Sequence, residues 1–291
     1  MSGLTMFAHL VLDRLKLGEL ERIPEPTLIM ENPLQVDAFM RAGREDGILA
    51  FTYFHHALHT PSIICSGDTV LDLACGPANQ LVQIARLNPQ ARFIGIDASS
   101  EMLGHARATL DRCQTDNISL QPGDICALNG FADASVDVVI STLSLHHLPD
   151  VASLHACFRE IRRVLKPGGG LLLIDFGRLR RRQTQEFFAT DRTDQQLPIF
   201  TEDYRNSLRA AFSPEEIRLA ARVLGSNIKI QRTWIAPFMI AVKSPARRTP
   251  DAADRLRARQ LFATLLPDQQ RDFRDFSLLA RLGGMVSPLT I

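Results

Sequence analysis

Three aspartates share one pattern, in which a short apolar segment ends in an acid or is closely followed by one. Asp72 lies in the segment 70–73, Asp97 ends the segment 92–97, and Asp124 follows the segment 118–121. Because parallel strands end at one edge of their sheet, we expect these carboxylates to line that edge, where α/β folds bind nucleosides. One such acid is more often a solvated strand-end carboxylate, but three in register favour a ligand site.

The first of these segments runs into a turn of small residues at 74–78, and an apolar-periodic helix follows at 81–87. A strand that leads through a tight turn into a helix leaves free backbone N–H groups beside a crevice, and small residues let a ligand lie against them. Asn79 stands where a dinucleotide fingerprint would have its third glycine. The turn therefore indicates nucleoside binding of a kind other than that of NAD enzymes.

The elements that would position these residues alternate between strands and helices. Strands are expected at 70–73, 92–97, 118–121, 136–141 and 171–175, with helices at 81–87, 100–111 and 152–165. This alternation predicts βαβ units and a parallel sheet. The Lys-Pro-Gly-Gly-Gly run at 166–170 is expected to end the third of these helices, and 228–233 and 238–242 read as two further strands.

Five motifs carry a resemblance to a known family. In chain order they are VLDLACGP, FIGIDASSEML, GDI, VDVVISTLSLHHLPD and REIRRVLKPGGGLLLIDF, and over residues 65–243 they resemble the class I S-adenosylmethionine-dependent methyltransferases. The resemblance implies an α/β, Rossmann-like fold with a seven-stranded, mostly parallel sheet, helices on both faces and an antiparallel hairpin at one edge.

The resemblance also divides the chain into parts. It implies an N-terminal helical lid at 1–66 and an S-adenosylmethionine-binding domain at 67–243, in which an insertion at 177–213 caps the substrate. A C-terminal helical extension at 244–291 follows, with helical structure expected over 253–282.

Roles for the strand-end acids follow from the same resemblance. Asp72 would orient the amino end of the cofactor, Asp97 would accept from both ribose hydroxyls, and Asp124 would accept from the adenine amine. The expected contacts with S-adenosylmethionine are Tyr53, Asp72, Ala74, Gly76, Asp97, Ala98, Met102, Asp124, Ile125 and Ser141. For Tyr53 the alternative is a purely structural core position.

Two alanines depart from the family pattern. The family commonly has glycine where Ala74 and Ala78 stand. An added methyl group is tolerated if the local φ is negative and is unfavourable if φ is positive. The two alanines therefore leave weak cofactor binding as a minor alternative.

Methyl transfer from a sulfonium is an in-line displacement, for which alignment and exclusion of water can supply about 7–11 kcal/mol of the barrier. A general base is needed only when the nucleophile arrives protonated. His146, after the fourth strand, is the candidate base, and a structural role is its alternative. Tyr204, Arg205 and Arg209 in the insertion are candidate contacts of the acceptor.

Composition narrows the class of partner. The 291 residues carry a formal net charge of +1, so neither nucleic acid nor membrane is implied by the total charge. The five cysteines lack CxxC spacing and read as reduced thiols of a cytoplasmic protein, and no metal site is expected. The segment 4–20 is apolar at helical spacing but carries charges, which indicates an amphipathic helix packed on the body or on a second copy in a homodimer.

The sequence thus predicts a cytoplasmic enzyme that methylates a small-molecule acceptor, with O, N, S or C as the nucleophile. An RNA or protein methyltransferase is one alternative, because arginines at 178–182 could meet phosphates. No aromatic residues are interleaved with them, which disfavours nucleic acid. A non-catalytic scaffold that binds S-adenosylmethionine is the other alternative.

Overall fold

The computed structural model describes residues 3–289 and 291, so the first two residues of the expected lid and Thr290 of the expected extension lie outside the described residues. A seven-stranded sheet forms the centre of the fold. Its strands are β1 Thr69–Leu73, β2 Arg92–Asp97, β3 Ile118–Pro122, β4 Val136–Thr142, β5 Leu165–Phe176, β6 Lys229–Arg232 and β7 Met239–Lys243. The order across the sheet is β3-β2-β1-β4-β5-β7-β6. β7 runs antiparallel to both neighbours and the other pairs are parallel, which confirms the predicted sheet.

Helices cover both faces of this sheet. In chain order they are α1 Gly3–Leu15, α2 Pro33–Ala42, α3 Ala50–Ala57, α4 Asn79–Leu87, α5 Ser100–Cys113, α6 Val151–Val164, α7 Arg182–Thr190, α8 Pro198–Ala210, α9 Pro214–Ala221, α10 Ala252–Thr264 and α11 Pro267–Leu282. Several begin where the sequence provides a cap. Ser99 accepts from the backbone N–H of Met102, and Ser213 and Glu216 form a capping box, so the first-turn N–H groups are satisfied.

The alternation of side chains along the strands produces two apolar layers. In β1, Val70 packs with α3, α4 and α11, whereas Leu71 and Leu73 pack on the other face with α6 and α9. All three side chains are fully buried. The parallel strands are therefore covered on both faces, and their carboxyl ends are left as the place for a site.

The glycine run after α6 differs from its prediction. α6 ends at Val164, but β5 already begins at Leu165, so the run lies in a bulged strand rather than in a loop before residue 171. The β4–β5 register shifts between Val136 and Val138 to accommodate it. A Cβ on Gly170 would come within 2.7 Å of the carbonyl oxygen of Ile63, so close backbone approach is the reason for glycine here.

The helical residues expected over 253–282 form two helices. α10 ends at Thr264 and α11 begins at Pro267. Proline has no N–H to continue the first helix but fits the first turn of the second, which explains the break. Phe273 of α11 packs on Phe54 of α3, with ring centroids 5.2 Å apart. Among the described helices, none has the length and apolarity needed to cross a bilayer.

Candidate active site

A cavity of about 510 Å³ opens at the carboxyl ends of the central strands. Asp72 of β1, Asp97 of β2 and Asp124 after β3 all line it. The three carboxylates that the sequence analysis placed at one sheet edge therefore do face a common space.

The turn after β1 forms the floor of one end of this cavity. Ala74, Gly76 and Ala78 have φ values of 55°, 52° and 60°, all in the left-handed region. Glycine adopts this conformation freely, whereas an L-residue is destabilised by about 1–2 kcal/mol. Ala74 and Ala78 are thus in the unfavourable one of the two cases considered from the sequence.

Asp97 and Asp124 are both partly engaged with backbone N–H groups. The N–H groups of Gly76 and Ser99 donate to the two carboxylate oxygens of Asp97 over 2.8 and 2.9 Å. Burial nevertheless raises the pKa of Asp97, against the opposing effect of these donors. Asp124 accepts from the N–H of Cys126 over 2.8 Å. Since each carboxylate oxygen has two lone pairs, both acids keep acceptor capacity towards the cavity.

Three polar groups at this end of the cavity lack partners within the described residues. The Asp72 carboxylate is buried, and burial together with the nearby Asp97 raises its pKa well above the ordinary value. No described donor hydrogen-bonds to it. The side-chain nitrogens of Asn79 and Gln80 are buried and unpaired as well, and both residues line the cavity. The acceptor Asp72 suits the amino group of a methionine moiety, and the donors Asn79 and Gln80 suit its carboxylate.

Of the ten expected cofactor contacts, only Ser141 does not line the cavity. Its hydroxyl is buried and donates to the carbonyl of Leu73 over 2.9 Å, next to the hydroxyl of Ser144. Thr142, Leu143 and Ser144 line the cavity in its place. The contacts that do line it are Tyr53, Asp72, Ala74, Gly76, Asp97, Ala98, Met102, Asp124 and Ile125.

The other end of the cavity contains His146, the candidate base. Its Nδ1 lies 2.6 Å from Oδ1 of Asp175, and its backbone N–H donates to Oδ2 of the same residue over 3.0 Å. Nδ1 donates to this carboxylate, so Nε2, which lies 3.7 Å from Oε1 of Glu25, is the ring nitrogen left for proton transfer. Burial lowers the pKa of His146, but Asp175 and Glu25 raise it further, so the net shift is upward.

Glu25 reaches this end from the segment 16–32, which connects α1 to α2 and is called the strap below. Its side chain is 5% exposed and lies 2.8 Å from Nδ1 of His147 and 3.7 Å from Nε2 of His146. Burial raises the pKa of Glu25, but the hydrogen bond and charge of His147 lower it to about 2. Asp203 of α8 lines the cavity, and burial with the charge of Glu25 raises its pKa to about 6.

Arg22 fixes the strap to the body. Its guanidinium donates to the carbonyls of His146, Pro149 and Ala210 over 2.9, 2.7 and 2.7 Å, and to that of Leu148. The same group lies 4.0 Å from the ring centroid of Phe212. Leu28, Ile29 and Met30 of the strap then form one side of the cavity.

The three candidate acceptor contacts are not brought together. Tyr204 lines the cavity beside Phe176, at a centroid distance of 5.5 Å. Arg205 is instead paired with Glu186 and Glu202 on the surface. Arg209 borders a separate small pocket with Arg182. Tyr204 and Arg205 are adjacent in α8 and therefore point in different directions, whereas Arg205 and Arg209, four residues apart, share a face that does not line the cavity.

The sequence analysis missed Glu25, Asp175 and Asp203. Asp175 lies near the end of β5, as Asp97 lies at the end of β2. The same strand-end pattern could therefore have predicted Asp175 as a site residue. Glu25 and Asp203 have no local signature, since their position depends on how the strap and α8 pack on the sheet.

Comparison with known proteins agrees with this geometry. Over residues 64–213, just over half of the chain, the sequence matches the family described as "Methyltransferase domain". A "37.1 kDa protein in transposon TN4556" of Streptomyces fradiae is 30% identical over 198 residues, 61% of this chain and 56% of that protein. The demethylmenaquinone methyltransferase of Listeria welshimeri is 36% identical over 110 residues, 38% of this chain and 45% of that protein.

Among solved structures, the plantazolicin methyltransferase BpumL in complex with SAH has the same fold, with a TM-score of 0.57 and 14% identity over 93% of this chain and 91% of that one. The chain spans about half the length of the curated relatives it matches. The sequence match shows that the chain belongs to this methyltransferase family, and its fold is that of the class I S-adenosylmethionine-dependent methyltransferases.

Proposed function

We propose that this protein transfers a methyl group from S-adenosylmethionine to a small-molecule acceptor. The observation that carries the proposal is the single cavity that joins the strand-end acids Asp72, Asp97 and Asp124 to the buried pair of His146 and Asp175. One end of it offers groups that suit the cofactor, and the other offers a base.

At the cofactor end, Asp72 would accept from the amino group, and Asn79 and Gln80 would donate to the carboxylate. Asp97 would take the ribose hydroxyls, while Asp124 and Ile125 would take the adenine, as the resemblance implies. When bound, S-adenosylmethionine supplies a methyl group on a sulfonium sulfur. The protein's own contribution is to hold the reacting atoms in line and to exclude water, which is the larger part of such catalysis.

At the acceptor end, His146 would take the proton of a hydroxyl or other protonated nucleophile through Nε2. Asp175 would hold the ring in the required tautomer and stabilise the charged imidazole, as an orienting carboxylate does. The upward shift of the His146 pKa makes it a stronger base than a free imidazole.

A small acceptor is supported by the apolar lining of this end. The ring of Phe176 lies 5.3 Å from that of His146, Tyr204 lies 5.5 Å from Phe176, and Phe200 lies 6.2 Å from Tyr204, all as centroid distances. An apolar pocket with a few polar groups suits a compact aromatic or aliphatic molecule better than a polymer. The printed names of relatives, demethylmenaquinone and plantazolicin methyltransferases, point in the same direction.

The test combines binding with turnover. Isothermal titration should show micromolar affinity for S-adenosylmethionine, and incubation with methyl-labelled cofactor and a panel of phenols, enols, amines and thiols should yield a product 14 Da heavier than its acceptor. Binding without transfer to any acceptor would favour the scaffold, and salt-sensitive labelling of RNA would favour the nucleic-acid alternative. A cytoplasmic location and a homodimer through the terminal helices stay predictions.

A further inference from the structure

Glu25, His146 and His147 bring one carboxylate and two imidazoles together at the acceptor end of the cavity. One ligand atom from each of the three side chains lies within 4.8 Å of the others. Two imidazole nitrogens with one carboxylate oxygen form a donor set that suits zinc or ferrous iron better than magnesium or calcium. We propose that these three side chains bind a divalent transition-metal ion of the zinc class.

The surroundings of the three side chains are those of a built metal site. Metal-binding histidines usually donate their second ring N–H to a carboxylate, which fixes the tautomer and orients the ring. His146 does so, since its Nδ1 donates to Oδ1 of Asp175 over 2.6 Å. The carboxylate of Glu25 is likewise held, because the hydroxyl of Ser207 donates to its Oε1 over 2.7 Å. Each of these two ligands thus has an outer partner that would keep it in place.

Carboxylates outnumber imidazoles at this position. Glu25, Asp175 and Asp203 place three carboxylates around two imidazoles. Arg22 lies nearby, but its donors are directed at backbone carbonyls. A divalent ion would add positive charge beside these carboxylates, which favours its binding.

The ion would face the cavity, because His146, His147, Asp203 and Ser207 all line it. Three protein ligands leave a coordination position for an acceptor oxygen or nitrogen, whose pKa a bound metal lowers. This deepens the proposed function and rests on it for the acceptor's identity. Coordination would occupy the Nε2 lone pair of His146, so the loaded protein would activate its acceptor through the ion and the metal-free protein through the base.

The experiment titrates the full-length, chelator-treated protein with ZnCl₂ by calorimetry and with Co²⁺ by visible absorption. We expect one ion per chain and visible Co²⁺ bands of a nitrogen- and oxygen-ligated site. His147→Ala and Glu25→Gln should each weaken zinc binding at least tenfold. His105→Ala is the matched control, since it removes an imidazole that lies 3.4 Å from Glu101 on the surface. S-adenosylhomocysteine affinity, measured on every variant, reports whether the cofactor end is intact.

Equal zinc affinity in the wild type, His147→Ala and Glu25→Gln would overturn the metal site, as would failure of a wild type that binds S-adenosylhomocysteine to bind zinc or cobalt. Neither result would contradict the proposed methyl transfer. That function fails separately, if neither the metal-free nor the zinc-loaded protein binds S-adenosylmethionine or transfers its methyl group.

Discussion

Gly76 donates its backbone N–H to Oδ2 of Asp97 over 2.8 Å, and this contact ties the turn after β1 to the end of β2. Asp97→Ala removes that acceptor together with the proposed acceptor of the ribose hydroxyls. Since hydrogen bonds to a charged group contribute about 1.5–3 kcal/mol, we expect at least a tenfold loss of S-adenosylhomocysteine affinity by calorimetry. Asp116→Ala, on the exposed surface, should bind as the wild type does. Unchanged affinity in Asp97→Ala would contradict the placement of the cofactor.

Ala74→Gly should stabilise the protein. The φ of 55° at this position destabilises alanine by about 1–2 kcal/mol, and the larger entropy of glycine in the unfolded chain offsets about 0.5–1 kcal/mol of the gain. The free energy of unfolding in urea should therefore rise by about 0.5–1 kcal/mol. Ala108→Gly, at an exposed position inside α5, should lower it by about 1 kcal/mol. If both variants were destabilised equally, the turn would not have this conformation in solution.

Asp175→Asn should affect catalysis more than cofactor binding. The two carboxylate oxygens of Asp175 accept from Nδ1 and the backbone N–H of His146. The amide of asparagine has only one oxygen, so it can replace one of these two acceptors. We expect methyl transfer to fall at least tenfold in the metal-free protein while S-adenosylhomocysteine affinity changes less than twofold. Asp133→Asn is the control, since its side chain is 81% exposed. Full activity in Asp175→Asn would remove the orienting role.

Arg22→Lys should release the strap. A lysine ammonium cannot reproduce the planar set of donors that Arg22 directs at several carbonyls, nor its stacking on Phe212. We expect faster cleavage within residues 16–32 by a protease of broad specificity, located by mass spectrometry, and stability lower by about 1–3 kcal/mol. Arg41→Lys, whose exposed side chain pairs with Asp37, should be cleaved at the wild-type rate. Equal protection of both variants would show that other contacts hold the strap.

Asp254→Asn should lower stability in a pH-dependent way. The buried carboxylate accepts from Arg248 and Arg257 over 2.9 and 2.6 Å. Burial raises its pKa, but these arginines and the N–H of Asp251 lower it to about 2. Because the folded pKa is below the unfolded value of 3.8, the stabilisation is present above pH 4 and is lost as the pH falls to 2.

The variant should therefore be about 2 kcal/mol less stable than the wild type at pH 7, and the difference should shrink below pH 4 in urea unfolding. Asp268→Asn, an exposed partner of Arg271, should change stability by less than about 0.5 kcal/mol at either pH. A difference that stayed constant down to pH 2.5 would contradict the depressed pKa.

The sequence by itself determined the sheet, its parallel strands and the acids at their ends. Apolar segments such as β1 and β2 are stable as parallel strands that are buried on both faces of a sheet. The carboxyl ends of these strands then lie at one edge of the sheet. For this reason Asp72, Asp97 and Asp124 could be assigned to one cavity from local pattern alone. The same logic would have reached Asp175 at the end of β5.

Only the tertiary structure decided what stands at the acceptor end. Glu25 meets Ser207, which lies 182 residues later, and it meets both histidines because Arg22 fixes the strap to carbonyls of distant segments. Packing around the turn likewise decides two other features. Ala74 and Ala78 have a positive φ, and Ser141 faces Leu73 rather than the cavity. No periodicity in the chain records contacts between segments so far apart, since they are decided by which surfaces can be buried together.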